Sequence, residues 1–184
     1  ELENPIVLDA LNSILHEHQT EISSDASREE AHIKLVIDRD LIEGKEQYQL
    51  AISKDGINII ASNEAGLFYG IQTLAQLIDQ LALDTEIFLP EITINDNPNI
   101  ENRGIMLDVS RDKVPKLETL FQLVDMMSHL KLNQLQLYME HTFAYEGHES
   151  VWQDSGAYTA EEIQLLNSYC ESHFVKLVPN QNSF

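Results

Sequence analysis

Asn102-Arg-Gly-Ile-Met-Leu-Asp-Val-Ser-Arg111 is a near-continuous apolar run with a charge toward each end, led in by the turn-rich Asn95-Asp-Asn-Pro-Asn99. A run of this kind reads as a strand covered on both faces, the form strands take in parallel sheets. The residues after it set the order of elements. Pro115 suits the first turn of a helix, where no N–H is needed, and Leu117, Leu120, Phe121, Val124, Met127 and Leu130 then keep helical spacing. Residues 133–139 alternate, with Leu135, Leu137 and Met139 on one side, and form a second strand. A long polar and aromatic loop over 140–158 follows. Thr159-Ala-Glu-Glu162 has the form of a capping box ahead of Ile163, Leu166, Tyr169 and Cys170 on one helix face. Residues 174–178 read as a third strand. Strand, helix, strand, helix, strand defines an α/β domain, here residues 99–184. Three such units fit a doubly wound sheet or an eight-fold barrel equally well.

The chain before this point reads differently. Leu8, Leu11, Ile14 and Leu15 recur at helical spacing, residues 23–30 read as a loop, and strands are expected over 32–38, 47–53 and 57–62. Lys54-Asp55-Gly56 supplies the positive φ of a tight hairpin between the last two. A helix capped by Ser62 or Asn63 carries Leu67, Ile71, Leu74, Leu77, Ile78 and Leu81 along one stripe. Gly66 and Gly70 inside it cost about 1 kcal/mol each relative to Ala, which implies close packing of helix on sheet. One more short strand is expected within 85–94. Residues 1–98 therefore read as a small α+β domain, one sheet with helices on one face, in a structural role.

Eleven Lys and Arg against 31 Asp and Glu give a net charge of −20. Such a surface repels phosphate backbones and anionic membranes, so no nucleic acid and no membrane is expected as a partner. Cys170 is the single cysteine, which excludes an intramolecular disulfide, and it reads as a buried thiol. No apolar run approaches the roughly 18 residues of a membrane span, and no basic-then-apolar leader is present. A cytoplasmic location is expected on that basis, with an exported form left open because the chain starts at Glu1 without Met.

Three segments together carry a resemblance: Leu89-Pro-Glu-Ile-Thr-Ile-Asn-Asp96-x-Pro98, then Arg103-Gly-Ile-Met-Leu-Asp-Val-Ser-Arg111, then Lys131-Leu-Asn133. In this order they resemble the family 20 glycoside hydrolases, the β-N-acetylhexosaminidases. Asn63-Glu-Ala-Gly-Leu-Phe-Tyr-Gly-Ile-Gln-Thr-Leu74 resembles a helix of that family's small α+β domain, which precedes its barrel. The resemblance covers residues 60–140 well and the remainder loosely. It implies a small domain followed by a TIM-type (β/α)8 barrel, of which this chain carries the first three β/α units. It also implies N-acetylhexosamine-containing glycans as substrates, with no metal or organic cofactor. In this family the substrate's own 2-acetamido oxygen attacks the anomeric carbon. An adjacent Asp-Glu pair assists from the end of the fourth strand, so no catalytic residue is expected in this chain and the chain alone is expected to be inactive. The competing reading is a non-catalytic carbohydrate-binding or interaction module. The third strand would leave an exposed apolar edge that invites self-association.

The resemblance assigns Arg103 to the sugar 3- and 4-hydroxyls, a task suited to a planar fork of donors. Its place at the strand start requires the side chain to reach up through the barrel, because such sites gather at the C-terminal strand ends. Otherwise Arg103 is an ion-pair anchor to Asp108 or Glu101. Where the family carries His-x-His-Leu-x-Asp-Asp, this chain reads Gln136-Leu-Tyr138-Met-Glu140-His141-Thr142-Phe143-Ala-Tyr145, a divergent form. Glu140 and His141 are expected to hold the sugar or the acid–base pair, with Phe143 and Tyr145 lining the pocket; a solvated loop is the plainer alternative. Glu140, His141, Glu146, His148 and Glu149 lack the His-Glu-x-x-His spacing of a helical metal site, so no metal is expected. Trp152 and Tyr158 would either stack on a sugar ring or pack the loop. His16 and His18 read as surface residues.

Overall fold

The computed structural model describes residues 5–17, 32–83, 86–87, 89–111 and 113–182. The expected loop at 23–30 and His18 lie outside these residues. The chain divides into two compact units, Glu1–Asn99 and Ile100–Phe184.

The first unit runs α1 (Ile6–Glu17), β1 (Ile33–Ile37), β2 (Tyr48–Ser53), β3 (Gly56–Ala61), α2 (Glu64–Leu81), β4 (Ala82–Leu83), β5 (Glu86–Ile87) and β6 (Ile92–Asp96). Four of these strands form one sheet in the order β1-β3-β2-β6, with β1 parallel to β3 and the other neighbours antiparallel. The hairpin between β2 and β3 turns through Gly56 at φ +126°. The range 85–94, where one strand is expected, holds β5, which pairs with β4 before it, and the start of β6, which begins only after Pro90. A proline has no N–H to give a ladder, so pairing resumes beyond it.

Strand alternation places Tyr48, Leu50 and Ile52 of β2 beside Ile59 and Ala61 of β3, all buried, and α2 lies on β1, β2 and β3. Asn63, not Ser62, caps α2: its Oδ1 accepts the Gly66 N–H at 3.1 Å, whereas Ser62 Oγ donates to Gly44 O at 2.6 Å. The glycines of α2 bring the helix axis close to the sheet. A Cβ at Gly70 would stand 2.5 Å from Ile59 Cγ2 and 3.2 Å from Tyr48 Cδ2. Tyr48 donates its hydroxyl proton to Asp96 Oδ2 at 2.8 Å and lies 2.5 Å from Thr73 Oγ1, so one buried phenol joins β2, β6 and α2. Burial raises its pKa above the ordinary tyrosine value.

The second unit runs β7 (Gly104–Asp108), α3 (Leu117–His129), β8 (Gln134–Met139), α4 (Glu149–Trp152), α5 (Ala160–Ser172) and β9 (Lys176–Gln181). The three strands form a parallel sheet in the order β7-β8-β9, with Asp108 opposite Tyr138 and Tyr138 opposite Asn180. On one face Ile105, Leu107, Leu135, Leu137 and Leu177 meet Leu120, Val124 and Met127 of α3 and Leu166 and Cys170 of α5. The Cys170 thiol is buried there, and burial pushes its pKa up to about 12. Helix α5 opens on the expected capping box at Thr159 and Glu162. The third strand starts at Lys176 instead of residue 174, because α5 extends to Ser172 and the chain leaves it through Phe174 at φ 57°. The long loop contains α4 and a bridge between Phe143 and Tyr158. Tyr158 is buried and donates to Pro115 O at 2.6 Å, so it packs the loop and is not available to a sugar ring. No helix among the described residues is long and apolar enough to cross a membrane.

Gly70→Ala gains helix propensity but forces a methyl into the Ile59–Tyr48 contact, and the expected net loss is about 1 to 2 kcal/mol of stability. Urea unfolding checks this; an unchanged or raised midpoint would show that the helix does not need the glycine.

Candidate functional site

In a parallel sheet every strand points the same way, so the residues just past β7, β8 and β9 gather at one edge. Side chains two apart share a face, and Asp108, Tyr138 and Glu140 fall on the face opposite the apolar core. Beyond β7 the chain turns: Asp108 Oδ1 accepts the Ser110 N–H at 2.9 Å, and Ser110 Oγ accepts the Glu140 N–H at 2.7 Å and lies 3.0 Å from Thr142 Oγ1. This turn brings Arg111 over the edge. Its guanidinium pairs with Asp108 Oδ2 and with Glu140 Oε1, the latter at 2.9 Å, and its central carbon lies 5.1 Å from the Tyr138 ring centroid.

Glu140 is held from three directions. Its Oε1 accepts from Arg111, from the Tyr138 hydroxyl at 2.9 Å and from Asn182 Nδ2 at 3.3 Å, and Asn182 Nδ2 also donates to the Tyr138 oxygen at 2.6 Å. Gln181 Nε2 donates to Glu140 O at 2.9 Å, and the Tyr145 hydroxyl donates to Gln181 Oε1 at 3.2 Å. The bonds from Tyr138 and Asn182, with the Arg111 charge after them, hold the Glu140 carboxyl below its ordinary range. The Ser110 N–H and then Arg111 do the same for Asp108. Both groups are therefore ionised at neutral pH. Such a cluster is chemically suited to hydroxyls, with the guanidinium as donor and the carboxylates as acceptors, and ionised carboxylates are poor proton donors.

Arg103, expected at the sugar, stands at the other end of β7. Its Nε and Nη2 donate to Lys131 O at 3.0 and 2.9 Å, and Nη1 donates to Ile100 O at 2.8 Å and Glu101 O at 3.3 Å. The fork is turned onto backbone carbonyls there and does not reach the C-terminal edge, so the arginine at the cluster is Arg111. It stood in the same motif, and its signal was its place just past the strand's C-terminal end. Asp108, Tyr138 and Asn182 complete the cluster. Of the expected residues, Glu140 sits in the cluster and Tyr145 touches it through Gln181. His141 is half-buried, with its carbonyl accepting Ser155 Oγ at 3.0 Å.

Phe143 and Tyr145 meet edge to face, with centroids 4.7 Å apart. With Met139, Leu177 and Pro179 they line a cavity of about 740 Å3 that runs along the β9 edge beside α5. Trp152 Nε1 donates to Tyr145 O at 2.8 Å, which fixes the loop. Among the described residues no three His, Cys, Asp or Glu side chains converge as a metal ion would require.

Two sequence descriptions match this chain in succession: glycosyl hydrolase family 20, domain 2, over residues 4–97, and glycosyl hydrolase family 20, catalytic domain, over residues 101–183. The chain belongs to glycosyl hydrolase family 20. An N,N'-diacetylchitobiase of Vibrio harveyi is 36% identical over 92 residues, which is 50% of this chain and 10% of that protein. A β-hexosaminidase of Porphyromonas gingivalis is 29% identical over 184 residues, covering 88% of this chain and 23% of that protein. Among solved structures, the β-N-acetylhexosaminidase of Streptomyces coelicolor superimposes with a TM-score of 0.80 at 25% identity, over 94% of this chain and 38% of that one. The chain thus spans well under half the length of these relatives.

The depressed carboxylates give a signed pH effect. A folded pKa below the unfolded value stabilises above the unfolded pKa, and that contribution is lost as pH falls through the folded one. The carboxyl resonances of Asp108 and Glu140 should therefore titrate below those of the unfolded chain, and Arg111→Met should move both midpoints upward. Midpoints unmoved by that substitution would show that the guanidinium does not rest on these two groups.

Proposed function

We propose that this chain is part of a β-N-acetylhexosaminidase that releases terminal N-acetylglucosamine or N-acetylgalactosamine from β-linked glycans. The observation that carries the reading is the Arg111–Asp108–Glu140 cluster at the C-terminal ends of β7 and β8, where enzymes built on parallel β/α units place their sites. Its membership in family 20 supports the same substrate class. On this reading Arg111 donates to neighbouring ring hydroxyls and Glu140 accepts from one.

β7-α3, β8-α5 and β9 are read as the opening of a (β/α)8 barrel. Among the described residues β7 and β9 each have one strand neighbour, and closure of the ring by further strands would satisfy both edges. Pairing with a second copy is the other way to satisfy them. The chemistry follows from the family. The acetamido oxygen forms a bond to the anomeric carbon as the glycosidic bond breaks, and a carboxylic acid protonates the departing oxygen. Water then releases the sugar with retained configuration. The 184 residues contain no adjacent Asp-Glu pair, so that pair is read as lying outside them. The same observation favours the second reading, a carbohydrate-binding module without hydrolytic activity.

Full-length protein should hydrolyse a chromogenic N-acetylglucosaminide, and Arg111→Ala should lower kcat/KM by about a hundredfold, the scale of charged hydrogen bonds lost from a bound ligand. Arg103→Ala should act chiefly on stability. Sugar binding without turnover would favour the module. Turnover by the isolated 184 residues would place the acid within them.

A further inference from the structure

Arg111 raises a mechanical problem. Its side chain is 59% exposed, and an exposed ion pair by itself does little to hold a long, flexible side chain in one direction. Glu140, one-third exposed, has the same freedom. A ligand that meets two wandering groups must order them as it binds, and that cost comes out of affinity. One residue addresses both. The ring of Tyr138 lies beneath the guanidinium, where the negative face of an aromatic ring attracts a cation, and its hydroxyl donates to Glu140 Oε1. Asn182 in turn donates to the Tyr138 oxygen and to the same carboxylate oxygen, tying both to the end of β9. All three donors to the Glu140 side chain gather on Oε1. That leaves Oε2 without a donor among the described residues.

We propose that Tyr138 is the positioning residue of this site: it presents the Arg111 fork and Glu140 Oε2 to the sugar as a fixed donor–acceptor pair. The inference rests on the sugar-binding reading of the preceding subsection. Its basis is that a single side chain, fixed on a strand, contacts both charged groups through two different parts, the ring and the hydroxyl. Tyr138 is held at its own base by the β7–β8–β9 register, with Asp108 and Asn180 on either side, so it is a rigid support and not a third mobile group. The groups facing Glu140 are Arg111 and Asp108 from the β7 end, Tyr138 from its own strand, and Asn182, which bears no charge, from the β9 end.

The two parts can be separated. Tyr138→Phe in the full-length protein keeps the ring beneath Arg111 and removes only the hydroxyl on Glu140. The expected result is a KM raised about tenfold, the weight of one hydrogen bond to a charged group, with kcat little changed. The acidic limb of kcat/KM should move to higher pH, because Glu140 has lost the first of the bonds that hold its carboxyl down. Tyr138→Leu removes the ring as well and should lower kcat/KM further. A residue that merely fills space would leave the acidic limb where it was. Unchanged KM and an unmoved limb in a folded Phe variant, beside an active wild type, would overturn the proposal. Absence of turnover and of N-acetylglucosamine binding in the wild type would overturn the sugar-binding reading instead, and Tyr138's proposed role with it.

Discussion

The second unit depends on the register of β7 against β8, and that register is fixed at the strand starts. Asn133 N donates to Arg103 O at 2.7 Å, Asn133 Oδ1 accepts the Arg103 N–H at 2.8 Å, and Asn133 Nδ2 donates to Glu101 O at 2.7 Å. The Arg103 side chain closes over the Lys131 carbonyl, at a residue whose φ is 59°. Gly104 completes the fit, since a Cβ there would stand 2.1 Å from Gln134 O. A slip of one residue would turn every side chain of a strand to the opposite face. It would bury Asp108 in the apolar core and expose Leu107. The charged cluster at the far end of the sheet therefore rests on a clamp at the near end.

The two ends of β7 divide the work between two arginines eight residues apart. At the start, Arg103 donates to the backbone carbonyls of Ile100, Glu101 and Lys131, which are fixed acceptors, and its fork serves as a brace. At the finish, Arg111 meets carboxylates and an aromatic face and remains largely in water. The exposed pairs there contribute little to folding. The Tyr138 ring lies beneath that guanidinium, and the bonds from Tyr138 and Asn182 keep its carboxylate partner ionised. The first unit is built on a different device, the buried Tyr48 phenol that joins β2, β6 and α2.

Most of this architecture was legible in the residue pattern. The Asp-Gly hairpin, the stripe of α2, the capping box of α5 and the apolar runs of β7 and β8 each have a local cause, and local causes survive without knowledge of the tertiary structure. The errors lay where the outcome depended on a distant partner. Residues 174–178 read as a strand, but β9 starts only at Lys176, because the chain first has to leave α5 after Ser172 and turn through Phe174. The site was legible only in part. Glu140, a member of the cluster, is legible from its place after a strand. The motif holds both Arg103 and Arg111, and its spacing does not say at which end of a strand a guanidinium finds its acceptors. Asn182 carries no signal at all until β9 is laid beside β8.

The direct test is a crystal structure of the full-length protein with N-acetylglucosamine bound. The sugar hydroxyls should lie within hydrogen-bonding distance of Arg111 and Glu140, at the C-terminal ends of β7 and β8, while Arg103 stays on the Lys131 carbonyl. A sugar seated elsewhere, or held by Arg103 with Arg111 turned into solvent, would contradict the division of labour between the two ends of the sheet.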